Sequence, residues 1–331
     1  MWKILLIKGK EKIKMSKCKN IIRKIKRNSS AMNKKADFVQ VSYFNFSEGA
    51  HVLWRKRKYS ETTPKQKRLN TKRAKRYFES IVEANFKSHR DFYITLTFSN
   101  ENYPADEKAA HRAVKNWIAR LNYKRKTKGM DSCKYIIVFE MSKTGRMHFH
   151  ILMDGILDRD TVEDEWKLGR CNTQRLKADP VQGLKDLICY LSKDFDTEPV
   201  KKAGRKSKKG DAEADEVVES MAKKKWISSK GLIRPWISPV KSTKISQKRF
   251  NLMKEMPADC EAIEQTIMQD NPGYIVLSIE KDYSEETGQW YIFARLRSVE
   301  SIRQCGESIV HGNTFERSLK EIIGIERGYM E

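Results

Sequence analysis

Missing from the start of this chain is any apolar run of export or membrane length. In MWKILLIKGKEK the apolar stretch lasts only from Ile4 to Ile7 before lysines resume, far short of a secretory core or a membrane span. The sequence therefore predicts no export signal, no membrane partner and a cytoplasmic location. Met15, followed by SKCKN, offers a second start beside Met1.

Paired cysteines are missing as well. Cys18, Cys133, Cys171, Cys189, Cys260 and Cys305 form no CxxC pair and keep no regular spacing, which argues against a zinc ribbon or a disulfide framework. They read as free thiols in a reducing compartment. Acid is scarce: 43 Asp+Glu stand against 67 Lys+Arg, a formal net charge of +24. Such a balance is rare in a neutral metabolic enzyme and common in a polyanion binder, so nucleic acid is the first partner implied.

At 331 residues the chain can hold two compact units and tails. Lys3 to Arg27 carries eleven Lys/Arg and one acid, Glu11, and Arg55 to Arg76 carries eleven more against Glu61. These read as basic arms, solvated or in contact with phosphate. Arg55, Lys56, Arg57, Lys58, Lys72, Arg73 and Arg76, with Arg146 farther on, are the candidate DNA contacts. The expected division is a basic arm over 1–70, a central domain over 71–240 with a charged linker or insertion at 199–225, and a C-terminal module over 241–331. No internal repeat is present.

Periodicity places the elements. Ala74, Tyr77, Phe78, Ile81 and Val82 share one stripe of a helix from about Thr71 to Asn85. In DFYITLTF, Phe92, Ile94, Leu96 and Phe98 alternate with Tyr93, Thr95 and Thr97, which predicts a strand with one polar face. A helix capped by Asp106 runs to about Tyr123, KYIIVFE is a strand, and a further helix is expected from about Pro180 to Phe195. A last unit holds strands Tyr274–Ile279 and Trp290–Leu296 around a Glu-Thr-Gly turn, closed by a helix from about Thr314 to Glu326. The predicted class is α+β, an antiparallel sheet with helices packed on one face, plus a small C-terminal α+β module.

GRMHFHILMDG sets His148 and His150 on one face of a strand, with Met147, Phe149 and Ile151 on the other. The preceding SKTGR suits a three-residue hairpin loop with Gly145 left-handed, which pairs Ser142 with Arg146. Counting outward, Glu140 faces His148, so Glu140, His148 and His150 cluster on one face. Two imidazoles and a carboxylate can hold a divalent cation with positions left open for a phosphate oxygen; the plainer alternative is a pair of strand histidines bonded to neighbours. On the Pro180–Phe195 helix, Leu184, Leu187, Ile188, Leu191 and Phe195 form the apolar stripe, and Tyr190 and Lys193 share an accessible face off it. A tyrosine near a metal-bound phosphate can act as a nucleophile, and a lysine beside it can offset developing charge.

These segments resemble a known family. MHFHILM is similar to the His-hydrophobe-His motif of HUH endonucleases, YLSKD to their YxxK motif, and ITLTF to the first strand motif of rolling-circle replication initiators, all in the family's order. WISSKGLIRP, Trp226 to Pro235, resembles phage-type initiators of the filamentous and microvirus kind. The resemblance implies a ferredoxin- or RRM-like palm, Mg or Mn held by His148 and His150, and Glu140 as third ligand by register. It implies Tyr190 as the nucleophile that joins the 5′ phosphate and frees a 3′-hydroxyl primer, with Lys193 as the YxxK lysine. Single-stranded DNA, origin DNA and a host helicase and polymerase are the partners implied. Asp194 stands four residues after Tyr190, where two-tyrosine members carry their second nucleophile. A tyrosine transposase or plasmid relaxase would use the same residues, and a basic nucleic-acid-binding protein without enzymatic activity is the rival of another class.

Overall fold

The computed structural model describes residues 20–28, 36–47, 64–196, 225–237, 245–284 and 289–309. They form an α+β protein with two five-stranded antiparallel sheets. The central sheet is built from β3 (Phe92–Thr97), β4 (Tyr135–Met141), β5 (Met147–Met153), β6 (Cys171–Arg175) and β7 (Ile227–Ser228), in the order β6-β3-β5-β4-β7. The second sheet holds β1 (Asn20–Asn28), β2 (Phe38–Ser47), β8 (Trp236–Ile237), β9 (Tyr274–Ser284) and β10 (Gln289–Ser298), in the order β8-β1-β2-β10-β9. Among the described residues no helix is long and apolar enough to cross a membrane.

Strand alternation makes the central core. Phe92, Ile94, Leu96, Ile137, Phe149 and Ile151 are buried on one face. They lie beneath Ala110, Val114, Trp117, Ile118 and Leu121 of α2 (Glu107–Thr127). That helix begins where Asp106 accepts a hydrogen bond from the Ala109 amide at 2.7 Å, the side-chain cap expected of Asp at this position. The opposite face is half covered. Phe78, Ile81 and Val82 of α1 (Pro64–Asn85) pack on Ile136, Val138 and Leu152. Leu184, Ile188 and Leu191 around α4 (Lys185–Leu191) join them. The antiparallel sheet and the helix layer hold as expected, and α1 and α4 add a second layer on the other side. Between β5 and α4 the chain passes through α3 (Arg159–Asp164) and edge strand β6.

The segment expected to be a basic arm departs from that reading. β2 pairs with β1 on one side and β10 on the other. Its Val39, Val41 and Tyr43 are fully buried beside Ile292, Ala294 and Leu296. They pack against α5 (Gln247–Glu255) and α6 (Glu261–Asp270) through Phe250, Met253, Ile263 and Ile267. FVQVSYF therefore obeys period two, and the N-terminal region completes the C-terminal sheet. Arg55 to Lys58, residues 199–224, the Glu-Thr-Gly turn and the helix expected over 314–326 lie outside the described residues, as does Cys18. β10 is followed directly by α7 (Val299–Ile309).

Residues 225–237 connect the two sheets. β7 pairs with β4 and β8 with β1. Between them Asn85 uses both ends of its amide, accepting from the Ile233 amide at 2.7 Å and donating to the Ile233 carbonyl at 2.8 Å. Trp226 stacks on Phe195 with ring centroids 5.3 Å apart, so WISSKGLIRP fastens the second helix layer to its sheet.

His111 lies beneath the central sheet between the rings of Phe139 and Phe149. Burial pushes its imidazole down to about 4. A group whose folded value is depressed below the ordinary 6.5 binds fewer protons in the native state, so stability falls as pH drops through the window from 6.5 to 4. His111→Leu is expected to remove roughly 3 kcal/mol of that acid sensitivity, measured as the difference in urea unfolding free energy between about pH 7 and about pH 4. Equal acid losses in the variant and the parent would show that the imidazole contributes nothing to it.

Candidate active site

The β4–β5 hairpin sets the site. The Ser142 amide donates to the Arg146 carbonyl at 2.8 Å, the Gly145 amide to the Ser142 carbonyl at 2.9 Å, and Gly145 takes φ +76°. A residue with a Cβ adopts that conformation only at a cost. The turn pairs Met141 with Met147 and Glu140 with His148, as the loop length predicts. β3 lies on the other side of β5 and sets Thr97 opposite His148 and Thr95 opposite His150. Cover by α1 and α4 stops near His150, which is buried, while His148 and Glu140 are partly exposed.

Glu140 is the hub. Its Oε2 lies 2.9 Å from His150 Nε2, and its Oε1 lies 3.7 Å from His148 Nε2 and 2.6 Å from Lys193 Nζ. Tyr190 arrives from α4, fifty residues away, with its hydroxyl 3.4 Å from Glu140 Oε2 and 3.3 Å from His150 Nε2. Lys193 lies in the 3-10 turn Lys193–Asp196 that follows α4, with its ammonium 4.1 Å from the centre of the Tyr190 ring. One turn of helix thus delivers both groups to one carboxylate. Two other tyrosines lie away from this group: Tyr135 packs with the α2 core, and Tyr123 is exposed on α2 itself.

The electrostatics follow from this crowding. Burial would raise the Glu140 carboxyl, but the Lys193 hydrogen bond and the nearby His150 outweigh it and hold Glu140 below the ordinary carboxylate value. Burial acts against the Lys193 ammonium, and the Glu140 hydrogen bond overcomes it and raises Lys193. Desolvation lowers His150 despite Glu140 beside it, which favours the neutral imidazole that a metal needs.

The donor set suits a divalent cation. One ligand atom each from Glu140, His148 and His150 lie within 4.8 Å of one another. Adjacent ligands of an ion held at about 2.1 Å are about 3 Å apart, so the His150–Glu140 spacing already fits and the His148 side must close slightly. Two imidazoles and a carboxylate offer mixed nitrogen and oxygen donors to a divalent cation.

Tyr93 was missed as a partner in this group. Its hydroxyl lies 2.7 Å from His150 Nδ1, with the two rings stacked at 5.7 Å, and Thr95 Oγ1 lies 3.4 Å from the same nitrogen. Such contacts fix the orientation of a ligating imidazole. The signal was the alternation of Tyr93, Thr95 and Thr97 on the strand's polar face.

The candidate DNA contacts are scattered. Arg146 holds the hairpin to the end of β3 through the Phe98 carbonyl and Asn100. Arg76 lies over the Phe293 ring and pairs with Glu280, while Lys72 pairs with Asp282, so these two face the second sheet. Arg73 is exposed on α1. None of the four joins the Glu140 cluster.

His148→Ala is expected to abolish Mn2+ binding in titration calorimetry while unfolding free energy falls by less than about 1 kcal/mol, because a partly exposed imidazole on the polar face buries little apolar surface. Lys193→Met should raise Mn2+ affinity, since the ammonium competes for Glu140. Equal Mn2+ binding by the parent and the His148 variant would remove the cation site.

Residues 91–196 match the model of a family described as replication-associated protein, of the ORF2 kind. No curated protein and no solved structure gives a significant match. The matched stretch contains β3, the hairpin and α4, and so every residue that meets at Glu140; over that stretch the chain is similar to replication-associated proteins.

Proposed function

We propose that this chain starts rolling-circle DNA replication by nicking one strand at an origin through Tyr190, with Mg or Mn at Glu140, His148 and His150. The observation that carries this reading is the Tyr190 hydroxyl, 3.3 Å from His150 Nε2 and 3.4 Å from Glu140 Oε2. A nucleophile from one element meets candidate cation ligands from another. A replication-associated family match over the same residues supports it.

In this reading a bound cation supplies Lewis acidity at the scissile phosphate. Tyr190 Oη forms a bond to phosphorus as the bond from phosphorus to the 3′ oxygen breaks. The tyrosyl proton passes to water, and the departing 3′ oxygen takes up a proton from water to become the primer hydroxyl. Lys193 offsets charge on the phenolate as it develops. One phosphodiester is exchanged for another, so the reverse reaction reseals the strand without a nucleotide cofactor. His150 has both ring nitrogens partnered, by Tyr93 and Glu140, which is the observation favouring a non-enzymatic DNA binder with structural histidines.

Tyr190→Phe separates the two. With single-stranded DNA of the protein's own replicon and Mn2+, the parent should form a covalent adduct that peptide mapping assigns to Tyr190. The Phe variant should bind the same DNA and form none, a rate loss of at least about 10⁴-fold. Undiminished nicking by the variant would end the assignment, and DNA binding without any adduct in the parent would leave the binder.

A further inference from the structure

We propose that the second sheet is a brace that positions the Tyr190 helix, with Arg295 and Phe38 as positioning residues; this deepens the nickase reading and rests on it for its catalytic consequence. α4 is short, and its N-cap residue Leu184 supplies no side-chain cap. What precedes it is a tight turn in which Asp179 and Gly183 exchange both backbone hydrogen bonds at 2.9 Å, and Asp179 Oδ1 accepts from the Val181 and Gln182 amides. The turn points away from the central sheet and into the second.

Four contacts hold it there. Arg295 of β10, fully buried, donates to the Gln182 side chain and to the Gln182 carbonyl, each at 2.9 Å. Gly183 takes φ +66°, and a Cβ on it would stand 2.5 Å from the ring of Phe38 in β2. Phe38 is buried, and Arg295 and Arg297 lie over its ring at 4.6 and 4.1 Å, so the ring has little room to yield. Val181 packs with Ile275 and Ile302 of the second sheet's own apolar cluster. Past the turn, Lys185 in the first turn of α4 pairs at 2.7 Å with Glu79 of α1, whose other partners are Arg295 and Gln40.

The sheet built from both chain ends therefore fixes where α4 begins, and Tyr190 lies five residues on. A nucleophile displaced by about 1 Å loses on the order of 10²-fold in rate. Metal ligands from β4 and β5 do not depend on this turn.

Gly183→Ala tests the brace by pushing the turn off Phe38 and straining its backbone at φ +66°, without stranding a buried charge. Single-turnover adduct formation should slow on the order of 10²-fold, with the Michaelis constant for the oligonucleotide and the Mn2+ affinity near those of the parent. Hydrogen exchange over residues 184–192 should quicken while that of 107–127 stays unchanged. Adding Phe38→Leu, which makes room for the new methyl, should recover part of the rate, and Gln182→Ala, which removes one Arg295 contact, should give a smaller loss of the same kind. An unchanged rate with unchanged exchange over 184–192 would overturn the proposal, and so would loss of Mn2+ binding together with protection over 107–127, which would make the second sheet a general support. Should the parent form no adduct, the nickase reading fails, and exchange over 184–192 alone decides the brace.

Discussion

The register of the β4–β5 hairpin is the constraint from which the rest follows. A slip of one residue would turn Phe149 and Ile151 out of the core and send His148 and His150 into it. Each large apolar side chain buried there contributes about 1.5–3 kcal/mol, so the pairing of Glu140 with His148 is fixed chiefly by residues on the opposite face. The polar cluster need not supply stability of its own. It can keep an ionised carboxylate, a buried neutral imidazole and an ammonium close together because the apolar side of the same strands holds them in place.

What could be read from the sequence divides along contact distance. The hairpin was legible in full, since a five-residue stretch with one glycine dictates both the turn and the pairing, and the strand and helix around it follow from short periods. β2 carries an equally clean alternation in Val39, Val41 and Tyr43, but its partner β10 lies some two hundred and fifty residues on, with Phe44 opposite Tyr291. Flanked by lysine-rich stretches, it read as part of an arm. The helix expected from Pro180 was right in its apolar stripe and wrong in its start. Asp179 and Gly183 close a turn first, and the positive φ of Gly183 is set beside a ring from another sheet. Tyr93 shows the same limit, since its alternation was visible and its contact with His150 Nδ1 was not.

Charge is used in two ways. The basic stretches give the chain its +24, which suits a polyanion and attracts it without regard to sequence. Inside, charge is nearly balanced and directional. Arg295 meets Glu83 at 2.7 Å and Glu79 at 2.8 Å, and Lys185 reaches Glu79 as well. Burial pushes the Glu83 carboxyl up against the pull of Arg295, so the network gains little net stability from its ion pairs.

Its value is geometric. α1 lies between the sheets, giving Phe78, Ile81 and Val82 to the central one and Glu79 and Glu83 to Arg295 of the other. Apolar side chains hold a helix against a sheet while leaving small slides nearly free, because dispersion and burial have no preferred direction. A guanidinium that hydrogen-bonds Glu83, the Gln182 side chain and the Gln182 carbonyl, with Glu79 at ion-pair distance, has few arrangements that keep all of them, and removing a hydrogen-bonded partner leaves a buried polar group unpaired. The junction between the sheets therefore tolerates loss of apolar contact better than loss of register. That register is what carries the position of β10 through Gln182 to α4, and from α4 to the hydroxyl of Tyr190 beside Glu140.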